Sequence, residues 1–202
     1  DMTMYCRAVI YFPLVFSLAL VACSQEEPAK PYMVEEVSLS QISDDLAVGN
    51  TTSVAVTEAY IARIKTHDAP LNSVILIAPD ALEQAAASDK RRADGKALGP
   101  LDGIPVLLKD NIDAVGIPTT AGSYALEANM PVQDADVTKH LRNAGVVILG
   151  KANTSQWAGF RTTKGLNGST VGKGPHNPYD HARTASGSSS GSGIAAAVSF
   201  AA

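Results

Sequence analysis

Thr184-Ala185-Ser186-Gly187-Ser188-Ser189-Ser190-Gly191-Ser192-Gly193-Ile194-Ala195-Ala196-Ala197-Val198 sets a run of small hydroxyl residues directly against an apolar, alanine-rich segment. Ser and Gly alone read as a flexible linker. Here the run continues without a break through Ile194 to Ala202. That continuation predicts a buried helix from Gly193 to the end of the chain, with the Ser/Gly loop capping its N-terminus. Such a loop brings backbone amides and several Oγ atoms to one point, as anion-binding turns and catalytic loops do. Linker, anion-binding turn and catalytic loop all remain open on this stretch alone.

A second stretch lies upstream, Gly99-Pro100-Leu101-Asp102-Gly103-Ile104-Pro105-Val106-Leu107-Leu108-Lys109-Asp110-Asn111-Ile112-Asp113. Its apolar run, Ile104 to Leu108, is bounded by turn residues and predicts a buried strand that delivers Lys109 at its end. A lysine carried there is expected to be desolvated, which favours the neutral amine. The plainer alternative is a strand-end lysine that turns out to water.

Together these stretches resemble the amidase signature family, serine amidases with a Ser–Ser–Lys triad. The resemblance extends from about Val37 to the chain end and includes Pro118-Thr119-Thr120-Ala121-Gly122-Ser123, Leu141 to Asn153, and Asn177-Pro178-Tyr179. It implies that Lys109 is the triad lysine and that Ser188 is the bridging serine, held after a cis peptide bond. It also implies a nucleophilic serine in an Asp-x-Gly-Gly-Ser-like turn further on, beyond Ala202. The chain is therefore expected to be truncated before its nucleophile, and the 202 residues alone to be inactive and poorly folded. Where the family has a glycine pair, this sequence has Gly172-Lys173.

Residues 1–22 read as a signal peptide: Arg7 precedes an uncharged, mostly apolar run too short for a comfortable membrane span. The run ends in Leu20-Val21-Ala22-Cys23, which resembles a bacterial lipoprotein cleavage box, with Ser24 at the position that resembles outer-membrane sorting. Cys23 is the expected lipidation site, and an exported, membrane-anchored protein facing the periplasm of a Gram-negative bacterium is the expected product. Cys6 leaves with the signal, so the mature body has no disulfide and must rely on a hydrophobic core. By these resemblances, residues 23–36 are expected to form the anchor and a polar spacer, and residues 37–202 the N-terminal part of an amidase domain.

Within that body, periodicity predicts helices at 40–48 (Ser40 as N-cap), 52–66 (Val54, Ile61 and Ile64 on one stripe), 79–95 and 134–143. Strands are predicted at 71–78, 104–109 and 146–149. Lys90-Arg91-Arg92 reads as a solvated helix end that complements the helix dipole. The order strand, helix, strand predicts an α/β/α layered fold with a central mixed sheet, incomplete at the C-terminus. Lys151 follows its strand much as Lys109 follows its own, and only the resemblance prefers Lys109. Residues 166–179 read as a Gly-rich loop over the site.

A net charge of −4 with no basic block gives no reason to expect a nucleic-acid partner. His67 and His140 fall on helix surfaces, while His176 and His181 lack a third metal ligand and a strand-borne nucleophile. No metal or organic cofactor is expected. The resemblance implies an amidase acting on a carboxamide or peptide amide substrate. One rival is the amidotransferase subunit that aminates a charged tRNA, against which the export signal argues. The other is a catalytically silent remnant or binding protein. Reading the coding sequence past Ala202 separates the enzyme from the remnant.

Overall fold

The computed structural model describes residues 31–159 and 168–202. Cys23, the expected signal peptide and most of the expected spacer lie outside the described residues. The compact unit begins at Pro31, earlier than the Val37 boundary read from sequence. Val34 is buried in the core, and the Tyr32 hydroxyl donates to Asp45 at 2.7 Å.

The helices and strands are α1 (Leu39–Val48), α2 (Ser53–His67), β1 (Val74–Ile77), α3 (Ala81–Ala93), β2 (Pro105–Lys109), α4 (Asp136–Asn143), β3 (Val147–Ala152) and α5 (Ser190–Ala197). The sheet is mixed: β3 is central, β1 pairs with it antiparallel and β2 pairs with it parallel. Every residue of β3 is buried, so both faces of the sheet are covered along its middle strand. This is the α/β layering expected from the strand–helix–strand order.

Local chemistry moves several boundaries from where periodicity places them. The N-cap of α1 is Ser38, not Ser40; its side chain accepts from the Gln41 amide. In α2 the buried stripe is Val56, Tyr60 and Ile64, while Val54 and Ile61 are only partly buried. The first turn of that helix is held from outside, because the Asp89 carboxylate accepts from the Ser53 and Val54 amides at 2.6 and 3.0 Å. β1 starts at Val74, later than Leu71, because Asp68 takes the Ser73 and Val74 amides into a turn. β3 runs on to Ala152, past the expected Leu149, since both neighbours keep pairing with it to that point. Lys151 therefore lies inside the strand rather than after it.

The basic trio is only partly a solvated helix end. Lys90 is exposed, but Arg91 donates from Nη2 and Nε to Asp102 at 2.5 and 3.1 Å. Arg92 donates to the Asp102 carbonyl. Burial pushes the Asp102 carboxyl up, but the hydrogen bonds from Arg91 and the Leu98 amide, with the charge of the guanidinium, outweigh it and hold the group below its usual value. These contacts shape the approach to β2. Gly145, just after α4, completes the arrangement: its φ is +81° and an added Cβ would lie 2.3 Å from Asp102 Oδ1.

Arg91→Ala leaves the fully buried Asp102 carboxylate without its cation. The expected loss is at the low end of about 3–5 kcal/mol, because Arg91 itself is partly solvated, and denaturant unfolding measures it. A lowered carboxyl contributes stability above its unfolded value of 3.8 that is lost as pH falls through its folded value. The gap between wild type and variant should therefore close in strong acid.

Candidate active site

The parallel pairing of β2 with β3 sets Lys109 opposite Ala152, at the end of the sheet where the chain after β3 also emerges. That chain, Asn153 to Ser155, receives the Ser/Gly loop. The Ser188 carbonyl accepts from the Ser155 amide at 3.0 Å and from Thr154 Oγ1 at 2.9 Å. The Gly191 amide donates to the Asn153 carbonyl at 3.0 Å. The Gly187–Ser188 peptide is cis. With both sides held, Lys109 Nζ donates to Ser188 Oγ at 2.7 Å. Lys109 and Ser188 are each half-buried rather than enclosed, which leaves the pair reachable from solvent.

The Ser/Gly loop differs from its sequence reading in two ways. α5 begins at Ser190, inside the serine run, and no serine side chain caps it. The Asn153 carbonyl takes the Gly191 amide instead, so the first turn finds its acceptor in tertiary structure. The helix also stops at Ala197 instead of running to the chain end. Ser199 turns left-handed at φ +56°, and Phe200 then drops fully into the core. Two buried hydroxyls beside the loop, those of Ser155 and Ser190, have no hydrogen-bond partner among the described residues.

The described part of the Gly-rich loop is pinned to Asn153, whose Nδ2 donates to the carbonyls of Asn72, Gly172 and Lys173. Lys173 adopts φ +62°, a left-handed conformation that a glycine takes more easily. His176 and His181 are exposed and stack on each other at 5.4 Å, while the Ser188 hydroxyl accepts from Lys109.

The family model described as Amidase matches residues 55–202. The chain belongs to the amidase family. Among solved structures it resembles the native peptide amidase from Stenotrophomonas maltophilia, with 43% identity and a TM-score of 0.80, covering 82% of this chain and 35% of that one. Among curated proteins it is 43% identical to a glutamyl-tRNA(Gln) amidotransferase subunit from Thermobifida fusca, over 81% of this chain and 32% of the relative. A putative amidase from Arthroderma benhamiae is 41% identical over 76% of this chain and 26% of its own length. The chain thus spans about a third or less of these relatives.

Around the lysine–serine pair this amidase chain builds a buried polar cluster that sequence reading did not foresee. The Asp110 carboxylate is fully buried and accepts from the Thr120 and Gly122 amides, each at 3.1 Å, and from the Thr120 hydroxyl. Lys151 is also fully buried; its Nζ donates to the Ile112 carbonyl at 2.7 Å and to Thr119 Oγ1 at 2.8 Å. Burial pulls the Lys151 amine down to about 8, against the opposing pull of Asp110 and Asp113. The signal available in sequence was the unbroken apolar run Val146 to Leu149 leading into Gly150-Lys151-Ala152.

The approach of α5 to Asn153 requires a bare backbone. A Cβ on Gly191 would lie 2.3 Å from the Asn153 amide nitrogen and 2.4 Å from the Ser73 carbonyl oxygen. Alanine at a helical glycine ordinarily gains about 1 kcal/mol. Here Gly191→Ala should instead lose about 1–3 kcal/mol by overpacking, read by thermal or denaturant unfolding. A stabilised variant would show that α5 does not need this contact.

Proposed function

We propose that the chain forms part of an amidase that hydrolyses a carboxamide or peptide amide through a Ser–Ser–Lys triad. Lys109 and Ser188 supply two members, and a serine in sequence following residue 202 supplies the nucleophile. The observation that carries this reading is the 2.7 Å contact from Lys109 Nζ to Ser188 Oγ in a chain of the amidase family.

A serine hydroxyl attacks an amide carbon only if its proton is removed as the bond forms. Neutral Lys109 accepts a proton from Ser188 while Ser188 takes one from the nucleophile, because a hydroxyl donates and accepts at once. The relay then runs backwards and protonates the leaving nitrogen as the C–N bond breaks. Water attacks the acyl ester through the same relay and releases the acid.

A second reading is the amidotransferase subunit that works on charged tRNA, favoured by the Thermobifida fusca relative. The N-terminal sequence weighs against it. Leu20-Val21-Ala22-Cys23 supports export and lipid attachment at Cys23, which would hold the protein at the outer membrane with its body in the periplasm. A catalytically silent relative is the third reading, and it requires that amide hydrolysis be absent.

In the full-length protein, Lys109→Ala should lower kcat/KM for amide hydrolysis at least about 100-fold, the lower bound for general-base help. Steady-state kinetics on the folded variant check it, and retained activity would remove Lys109 from the chemistry. Cys23→Ser should abolish incorporation of labelled fatty acid and leave precursor or soluble protein. Persistent labelling would exclude Cys23 as the acylated residue.

A further inference from the structure

Lys151 has no place in the proton relay, yet it is one of the largest fully buried side chains among the described residues. It pairs with Leu108 across the parallel ladder, one position before the Lys109–Ala152 pair. Its Nζ reaches over the end of β2 to the Ile112 carbonyl and Thr119 Oγ1, and lies 3.8 Å from Asp110 Oδ1. The Ile112 amide in turn donates to the Lys109 carbonyl at 3.0 Å, closing the turn that begins at Lys109. The Asp110 amide donates to the Ala152 carbonyl at 3.1 Å, which ties the same turn to β3. The Asp110 carboxylate and the Thr119–Gly122 segment form the turn's outer wall.

This arrangement ties the residues around Lys109 to the strand whose continuation holds the Ser188 carbonyl. A lysine stem has four rotatable bonds, and Lys109 is only half-buried, so packing alone does not direct its amine. We propose that Lys151 is a positioning residue: by clamping Ile112, Thr119 and Asp110 onto β3, it sets the direction in which Lys109 leaves β2 and so its reach to Ser188. The consequence for turnover rests on the amidase reading; the geometric effect does not.

A purely structural Lys151 would neutralise Asp110 and stabilise the fold without affecting the Lys109–Ser188 contact. Three variants of the full-length protein separate the two roles: Lys151→Met, Thr119→Val and Thr119→Ser. Crystal structures report the Lys109 Nζ to Ser188 Oγ distance, and kinetics on folded protein report kcat and KM. In Lys151→Met and Thr119→Val the contact should open beyond about 3.5 Å, outside hydrogen-bond range. Their kcat should fall roughly tenfold with KM nearly unchanged, the signature of a lost transition-state geometry. Thr119→Ser keeps the acceptor and should keep both the contact and kcat. If Lys151→Met does not fold, Thr119→Val, close to isosteric, decides alone. A folded Thr119→Val or Lys151→Met that retains the contact overturns the proposal, whatever happens to kcat. An opened contact with undiminished turnover, or a wild type that hydrolyses no amide, would instead remove the amidase role of the pair while the distances still judge the positioning.

Discussion

β3 has no exposed residue, and the rest of the structure depends on that constraint. A strand buried along its whole length cannot give its peptide groups to water, so protein must meet each of them. β1, β2 and the residues flanking them do so for most of these groups, and the Gln84 side chain accepts from the Ile148 amide. Beyond the ladder the same requirement continues, and each satisfied group fixes another segment. The Asn153 amide donates to the Ser73 carbonyl, the Gly191 amide to the Asn153 carbonyl, and the Ser155 amide to the Ser188 carbonyl. Lysine and serine, distant in the chain, meet because both are referred to this one strand.

Charges buried beside that strand impose the second constraint. Asp102 and Asp110 are both fully buried, and each is stabilised differently. Asp102 faces a guanidinium with two hydrogen bonds, a geometry that favours the ionised carboxylate. Asp110 is held by amides and a hydroxyl, with the Lys151 ammonium near but outside hydrogen-bond range. Such clusters contribute little net stability against an apolar replacement, yet removing one partner is costly. Their effect is to specify geometry, here the turns that lead into and out of β2.

Similarity alone does not choose the acceptor chemistry. The Stenotrophomonas maltophilia peptide amidase and the Thermobifida fusca amidotransferase relative are each 43% identical to this chain over nearly the same share of it. Both relatives extend well beyond the region covered. In the proposed amidase the covered region would contribute the lysine–serine contact, and that contact is indifferent to whether the amide belongs to a peptide, a small carboxamide or a donor for transfer.

Much of the fold was legible in the chain. Ile42 and Leu46 with Gly49 mark α1, the run before Lys109 marks β2, and the strand–helix–strand order marks the layered mixed sheet, because apolar spacing and turn residues act locally. Lys109 and Ser188 were singled out by resemblance, and a local pattern of serines and glycines left linker and active loop both open. Tertiary structure alone decided that the serine run is helical from Ser190, that Lys151 is a buried clamp within β3, and that Arg91 serves Asp102 rather than water. The physical reason is common to all three. Each depends on a hydrogen-bond acceptor or carboxylate supplied from elsewhere in the chain, and periodicity carries no information about which distant group will satisfy a buried donor.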